Sequence, residues 1–158
     1  MPSLMPKMPG AKEVYGISIV KNDNSITIPP KALIRYQLSH QDIVLLTSTH
    51  KGEGGVSVLN KEKAYKNVFR KIIDEIDQFD TPVWFGDRAY ALTKIYRNKI
   101  ILKDNLKQTF KLKVGDKLLV IKSAAIAMSY TPIEIWKKKL EMKGFFKAIK
   151  NMDKLEEF

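Results

Sequence analysis

The sequence has no cysteine, which removes disulfides, thiol nucleophiles and Cys-ligated zinc together. Histidine is almost as scarce: His40 and His50 are the only two, and neither stands at metal-ligand spacing, so no metal and no other cofactor is implied. No apolar run approaches the ~20 residues that span a bilayer. Met1 to Gly10, with its prolines, lacks the apolar stretch of a secretory signal. A cytoplasmic protein without a membrane partner is therefore expected. Gly52-Glu53-Gly54-Gly55 lacks the Lys-Ser/Thr ending of a phosphate loop, and no G-x-S-x-G is present. Asp74, Glu75 and Asp77 fall outside the apolar stripe of their segment. No catalytic residue is assigned, and an enzyme is not expected.

A hydrophobic share of 44% with charged residues at 28% belongs to a folded domain rather than a disordered chain. The net charge of +11 points to a polyanion, and its distribution sharpens the point. Residues 88–129 hold ten Lys/Arg against two Asp/Glu, which is +8 of the +11, whereas residues 14–60 hold four against three. A merely solvated surface would intersperse both signs.

These two stretches are also related in sequence. Ile26 to Leu46 aligns without a gap to Ile100 to Val120 at an offset of 74. Ile26/Ile100, Leu38/Leu112, Asp42/Asp116 and Leu45/Leu119 are identical. Ile28/Leu102, Tyr36/Phe110, Val44/Leu118 and Leu46/Val120 stay apolar, so a burial pattern and an acidic turn recur. One unit has been duplicated.

That unit, with Ile28-Pro29, Leu38 and Asp42 in one copy and Leu102, Leu112 and Val114-Gly115-Asp116 in the other, resembles the AbrB/MazE/SpoVT-type swapped-hairpin DNA-binding family. The first copy carries Gln41 where the family's turn glycine stands, and the second carries Lys103 where its proline stands. The resemblance implies an α+β protein, mainly β with added helices. In it a tandem swapped-hairpin β-barrel would form as an intrachain pseudo-dimer, each unit followed by a helix. Residues 1–13 read as a flexible arm, 14–60 as the first unit, 61–87 as a connector helix and linker, 88–130 as the second, basic unit, and 131–158 as a C-terminal helix.

The residues themselves support these divisions. Pro29-Pro30 stops a strand and opens a short helix. Tyr65, Val68, Phe69, Ile72, Ile73, Ile76 and Phe79 gather into one stripe, which predicts a helix from about Lys61 to Phe79. Thr131-Pro132 predicts the cap of the last helix. Trp84-Phe85 is expected to plug the gap between the units, and Trp136, Phe145 and Phe146 to lie in the core or an interface. Asp42 and Asp116 are expected to bond nearby backbone amides.

Lys94, Arg97, Lys99, Lys103 and Lys107 cluster about the first hairpin turn and short helix of the second unit, the face that the resembled regulators present to DNA. The matching first-copy positions are Val20, Asp23, Ser25, Pro29 and Leu33, leaving Lys21, Lys31 and Arg35 as contributors. Cations on a protruding hairpin neutralise phosphates and release counterions. The expected function is a DNA-binding transcriptional regulator acting on duplex DNA, with RNA as a possible polymer and a further homodimer as a possible state. The alternatives are a non-specific architectural binder or an antitoxin-like interaction module that uses the C-terminal helix in a partner's groove. The plain alternative for the lysines is a solvated face.

Overall fold

The computed structural model describes residues 13–49 and 53–158. The arm read over residues 1–13 thus lies, apart from Glu13, outside the described residues, as does the tip of the glycine-rich loop with His50. The first copy forms β1 (Val14–Ile19), β2 (Ser25–Thr27), α1 (Pro30–Arg35), β3 (Ile43–Ser48) and β4 (Val56–Asn60). The helices α2 (Lys61–Tyr65) and α3 (Arg70–Asp74) follow, and then β5 (Val83–Phe85). The second copy forms β6 (Arg88–Lys94), β7 (Lys99–Ile101), α4 (Asp104–Thr109), β8 (Lys117–Ala124) and β9 (Ala127–Pro132), and the chain ends with α5 (Ile133–Met142) and α6 (Phe146–Met152). Counted over the described residues, this is an α+β fold with two antiparallel sheets and six helices.

The larger sheet has the order β1-β8-β9-β4-β3-β6-β5, and β2 and β7 form a separate two-stranded ribbon. Strands of the two copies pair with each other: β1 with β8, β3 with β6, β4 with β9, and β2 with β7. Neither sheet closes. This corrects the expected swapped-hairpin barrel and pseudo-dimer, and with them the AbrB/MazE/SpoVT-type resemblance. A barrel needs its two edge strands to pair, and here each edge is covered by a segment outside the repeat. On one side the Ile17 and Ile19 amides donate to the Glu156 and Phe158 carbonyls at 2.9 and 3.0 Å, and the Phe158 amide donates back to Ile17 at 2.7 Å. On the other side β5 pairs with β6. The β1 edge is thereby protected against pairing with other chains, while the three-residue β5 is itself the short outer edge on the far side. Gly16 permits the first arrangement, because a Cβ there would come within 2.8 Å of both the Glu156 carbonyl and the Phe158 ring.

The large sheet is buried on both faces, so its strands read as continuous apolar runs. Along β3, Val44 and Leu46 join the cluster beneath the ribbon, α1 and α4, whereas Leu45 turns to the opposite cluster with Leu59, Leu92 and Ile73. A third cluster sets Leu140 and Met152 against Ile17, Leu119 and Ile121. The C-terminal helices are therefore folded onto the sheet. Hydroxyls tie the layers: Tyr130 donates to the Thr27 carbonyl at 3.1 Å and Tyr36 to the Ala127 carbonyl at 3.2 Å. Burial pushes the Tyr130 phenol well above its ordinary range.

The long helix predicted over Lys61 to Phe79 is two short ones. Asn60 caps α2 by accepting from the Glu62 and Lys63 amides, and the chain then turns at residues 66–69 before α3. Tyr65, Phe69 and Ile72 still pack on the sheet, but Val68 is 81% exposed. The final helix likewise breaks at Gly144, and Thr131 lies in β9 rather than capping it. Trp84 and Phe85 plug no gap: they lie on edge strand β5 and are exposed. Trp136 and Phe145 pack in the C-terminal cluster, while Phe146 is exposed. Among the described residues no helix is long and apolar enough to cross a membrane.

Candidate nucleic-acid interface

The ribbon is the part of the fold on which the sequence-predicted cations converge. Its pairs are Ser25 with Ile101, Ile26 with Ile100 and Thr27 with Lys99. Ile26 and Ile100 are fully buried and anchor one face. At each end a turn of one copy meets the helix start of the other. The Leu102 amide donates to the Asn24 carbonyl and the Ile28 amide to the Asn98 carbonyl, both at 2.8 Å. The entry to each helix has the same backbone shape, with Pro29 at φ −56, ψ 143 and Lys103 at φ −59, ψ 163. Position 103 thus keeps the geometry without the proline.

Of the eight predicted contacts, the fold brings Lys21 and Lys99 together. Lys21 Nζ donates to Thr27 Oγ1 at 2.8 Å. Its ammonium is held below the usual lysine range, first by burial and then by the neighbouring Lys99, with Asp23 opposing. Arg97 sits at the tip of the second turn, its guanidinium 5.5 Å from the centre of the exposed Tyr96 ring. Lys31 is exposed on α1.

The remaining four are engaged elsewhere. Lys94 lies 5.2 Å from the Phe79 ring centre. Lys103 Nζ is 3.5 Å from Asp80 Oδ2, and Asp80 also accepts from Thr93 Oγ1 at 2.6 Å. Lys107 is nearly buried, donating to Asn24 Oδ1 at 2.6 Å and approaching Asp104 at 3.3 Å. Arg35 lies 3.9 Å from Glu13 and over the Tyr36 ring.

The two turns are not copies. Tyr96 and Lys99 close a two-residue turn by exchanging backbone bonds at 2.9 and 3.0 Å, whereas Lys21 and Ser25 bracket a longer one. The pairing register shows the consequence: Ile19 lies opposite Lys117 and Lys94 opposite Ile43. The structural counterpart of Lys94 is therefore Ile19, not Val20, and that of Arg97 is no longer Asp23. In the longer turn the left-handed residue is Asn24 (φ 68), a type that accepts this conformation; in the shorter it is Arg97 (φ 59). Asp23 accepts from the Ser25 hydroxyl at 2.6 Å and amide at 3.1 Å, and these bonds hold its carboxyl below the usual range.

Asp42 and Asp116 do bond nearby amides: Asp42 Oδ2 accepts from the Ser39 amide at 2.8 Å and Asp116 Oδ2 from the Lys113 amide at 3.0 Å. Sequence reasoning missed His40, whose Nδ1 accepts the Arg97 amide at 2.8 Å, and Asp80, the partner of Lys103. The alignment held a signal for His40, because its counterpart 74 positions on is Val114. No family model matches the chain, and neither a curated protein nor a solved structure matches it.

Proposed function

We propose that the chain is a cytoplasmic nucleic-acid-binding protein, a transcriptional regulator that grips duplex DNA through Lys21, Lys99 and the exposed Arg97 turn, the β2 strand itself being buried. The observation that carries this reading is Lys21 beside Lys99. Lys21 Nζ bonds Thr27, the residue paired with Lys99, so both lysines serve the same end of the ribbon, and an anion there offsets both charges. A backbone phosphate is the anion that a duplex would bring to these two lysines. The +8 charge of residues 88–129 supplies the wider field. Arg97, next to a stacked aromatic at the tip, adds a forked donor suited to phosphate or a base edge.

Lys107, only 15% exposed and bonded to Asn24, contributes field rather than a contact, whereas Lys94, Lys103 and Arg35 stay exposed beside their partners and remain secondary candidates. The interaction-module alternative calls for a tail free to enter a groove, and the packing of α5, α6 and residues 156–158 on the sheet favours the nucleic-acid reading over it. The test is a fluorescence-anisotropy titration against random-sequence duplex DNA, duplex RNA and single strands at stepped salt. Duplex binding that weakens steeply with salt supports the reading, and absence of binding to all three at low salt refutes it.

A further inference from the structure

We propose that His40 is a positioning residue for Arg97, holding the tip of the basic turn in the shape in which its guanidinium meets nucleic acid. The inference rests on the proposed function, since it assigns a role within that interface. The loop of the first copy clamps the second hairpin by two backbone bonds: the Gln41 amide donates to the Ile95 carbonyl at 2.7 Å, and the Ile95 amide to the Asp42 carbonyl at 2.9 Å. The other half repeats both, with the Gly115 amide donating to Val20 at 2.8 Å and the Val20 amide to Asp116 at 3.0 Å. The clamp is thus a property of the duplicated unit.

The third bond is not. His40 Nδ1 accepts the Arg97 amide at 2.8 Å, whereas the counterpart Val114, which lines a depression beside the first turn with Lys21 and Asn22, has no acceptor to offer. The fold therefore does not require this bond, because the sister half stands without it. The turn does. A two-residue hairpin turn with positive φ at its first central residue ordinarily carries glycine there, and Arg97 holds that position at φ 59. An acceptor on its amide keeps the arginine in a conformation it would otherwise leave. His40 also meets Tyr96 edge-on at 5.6 Å, and Tyr96 in turn lies beneath the Arg97 guanidinium. Backbone and side chain of the tip are both braced by one imidazole.

The test compares His40→Ala and His40→Asn, because the Asn Oδ1 sits where Nδ1 did and keeps an acceptor. His40 is exposed, so both variants are checked for wild-type melting. His40→Ala is expected to accelerate hydrogen exchange at the Arg97 amide and to weaken duplex affinity about threefold near physiological salt, as for roughly one phosphate left unneutralised. His40→Asn is expected to restore both. In an Arg97→Ala background, His40→Ala should add nothing. An Arg97 amide unchanged in His40→Ala overturns the proposal, as does accelerated exchange with full affinity when Arg97→Ala does weaken binding. If Arg97→Ala itself leaves affinity intact, the interface reading fails and the positioning role goes with it, whatever the exchange data show.

Discussion

Lys107 Nζ lies 2.6 Å from Asn24 Oδ1, joining the short helix of the second copy to the hairpin turn of the first. The bond turns a residue that charge counting assigned to nucleic acid into a brace between copies. Its side chain is only 15% exposed, and Asp104 offsets its charge.

Lys107→Met is therefore expected to lower stability by about 1–2 kcal/mol, as for a missing hydrogen bond to a charged group, and to leave the salt dependence of duplex binding unchanged. Urea denaturation and an anisotropy titration check the two halves. A weakened, less salt-sensitive interaction with unaltered stability would return Lys107 to the interface.

Gln41 and Gly115 occupy equivalent turns with φ 71 and φ 95. No atom lies within 4 Å of a Cβ built at Gly115, so substitution there strains the backbone alone. Gly115→Ala should cost about 1–2 kcal/mol, and Gln41→Gly should gain up to about 1 kcal/mol once the added freedom of the unfolded chain is subtracted. Thermal melts of the two variants give opposite shifts, and shifts of the same sign would contradict the equivalence of the turns.

Asp23 gains stability from ionisation because Ser25 hydrogen bonds lower its folded-state midpoint. The sign follows from linkage: the contribution is present above the unfolded-state value and is lost as pH falls through the folded one. Ser25→Ala should move the Asp23 carboxyl, followed by carbon NMR, up toward the ordinary range. The stability advantage of the wild type over Ser25→Ala should shrink as the medium is acidified through the wild-type midpoint. A difference that stays constant with pH would detach the effect from Asp23.

Much of the chain was legible from local pattern, and the failures share a cause. Strands appeared where Val, Ile and Leu ran between turn residues, and Pro29-Pro30 marked a helix start whose counterpart at Lys103 the alignment supplied. Whether the sheet closes was not legible. Closure depends on what occupies the outer edges of β1 and β6, and both occupants, residues 156–158 and β5, lie outside the repeat. The apolar stripe from Tyr65 to Phe79 overran the break at residues 66–69, where no glycine or proline announces a turn. The same distance effect misled the site. Asp80 and Asn24 are remote in sequence from Lys103 and Lys107, so the lysines looked uncommitted until the fold supplied partners. The exposed position of Arg97 was readable because a two-residue turn presents its tip whatever the rest of the sheet does.

The most direct measurement is the slope of log affinity against log salt for wild type and for the double variant Arg97→Ala, Lys99→Ala, on one random-sequence duplex. If the ribbon and its turn hold the phosphate backbone, the double variant binds more weakly and its slope is shallower by about 0.9 for each phosphate no longer neutralised, nearly two in all. A folded double variant with the wild-type affinity and slope would contradict it.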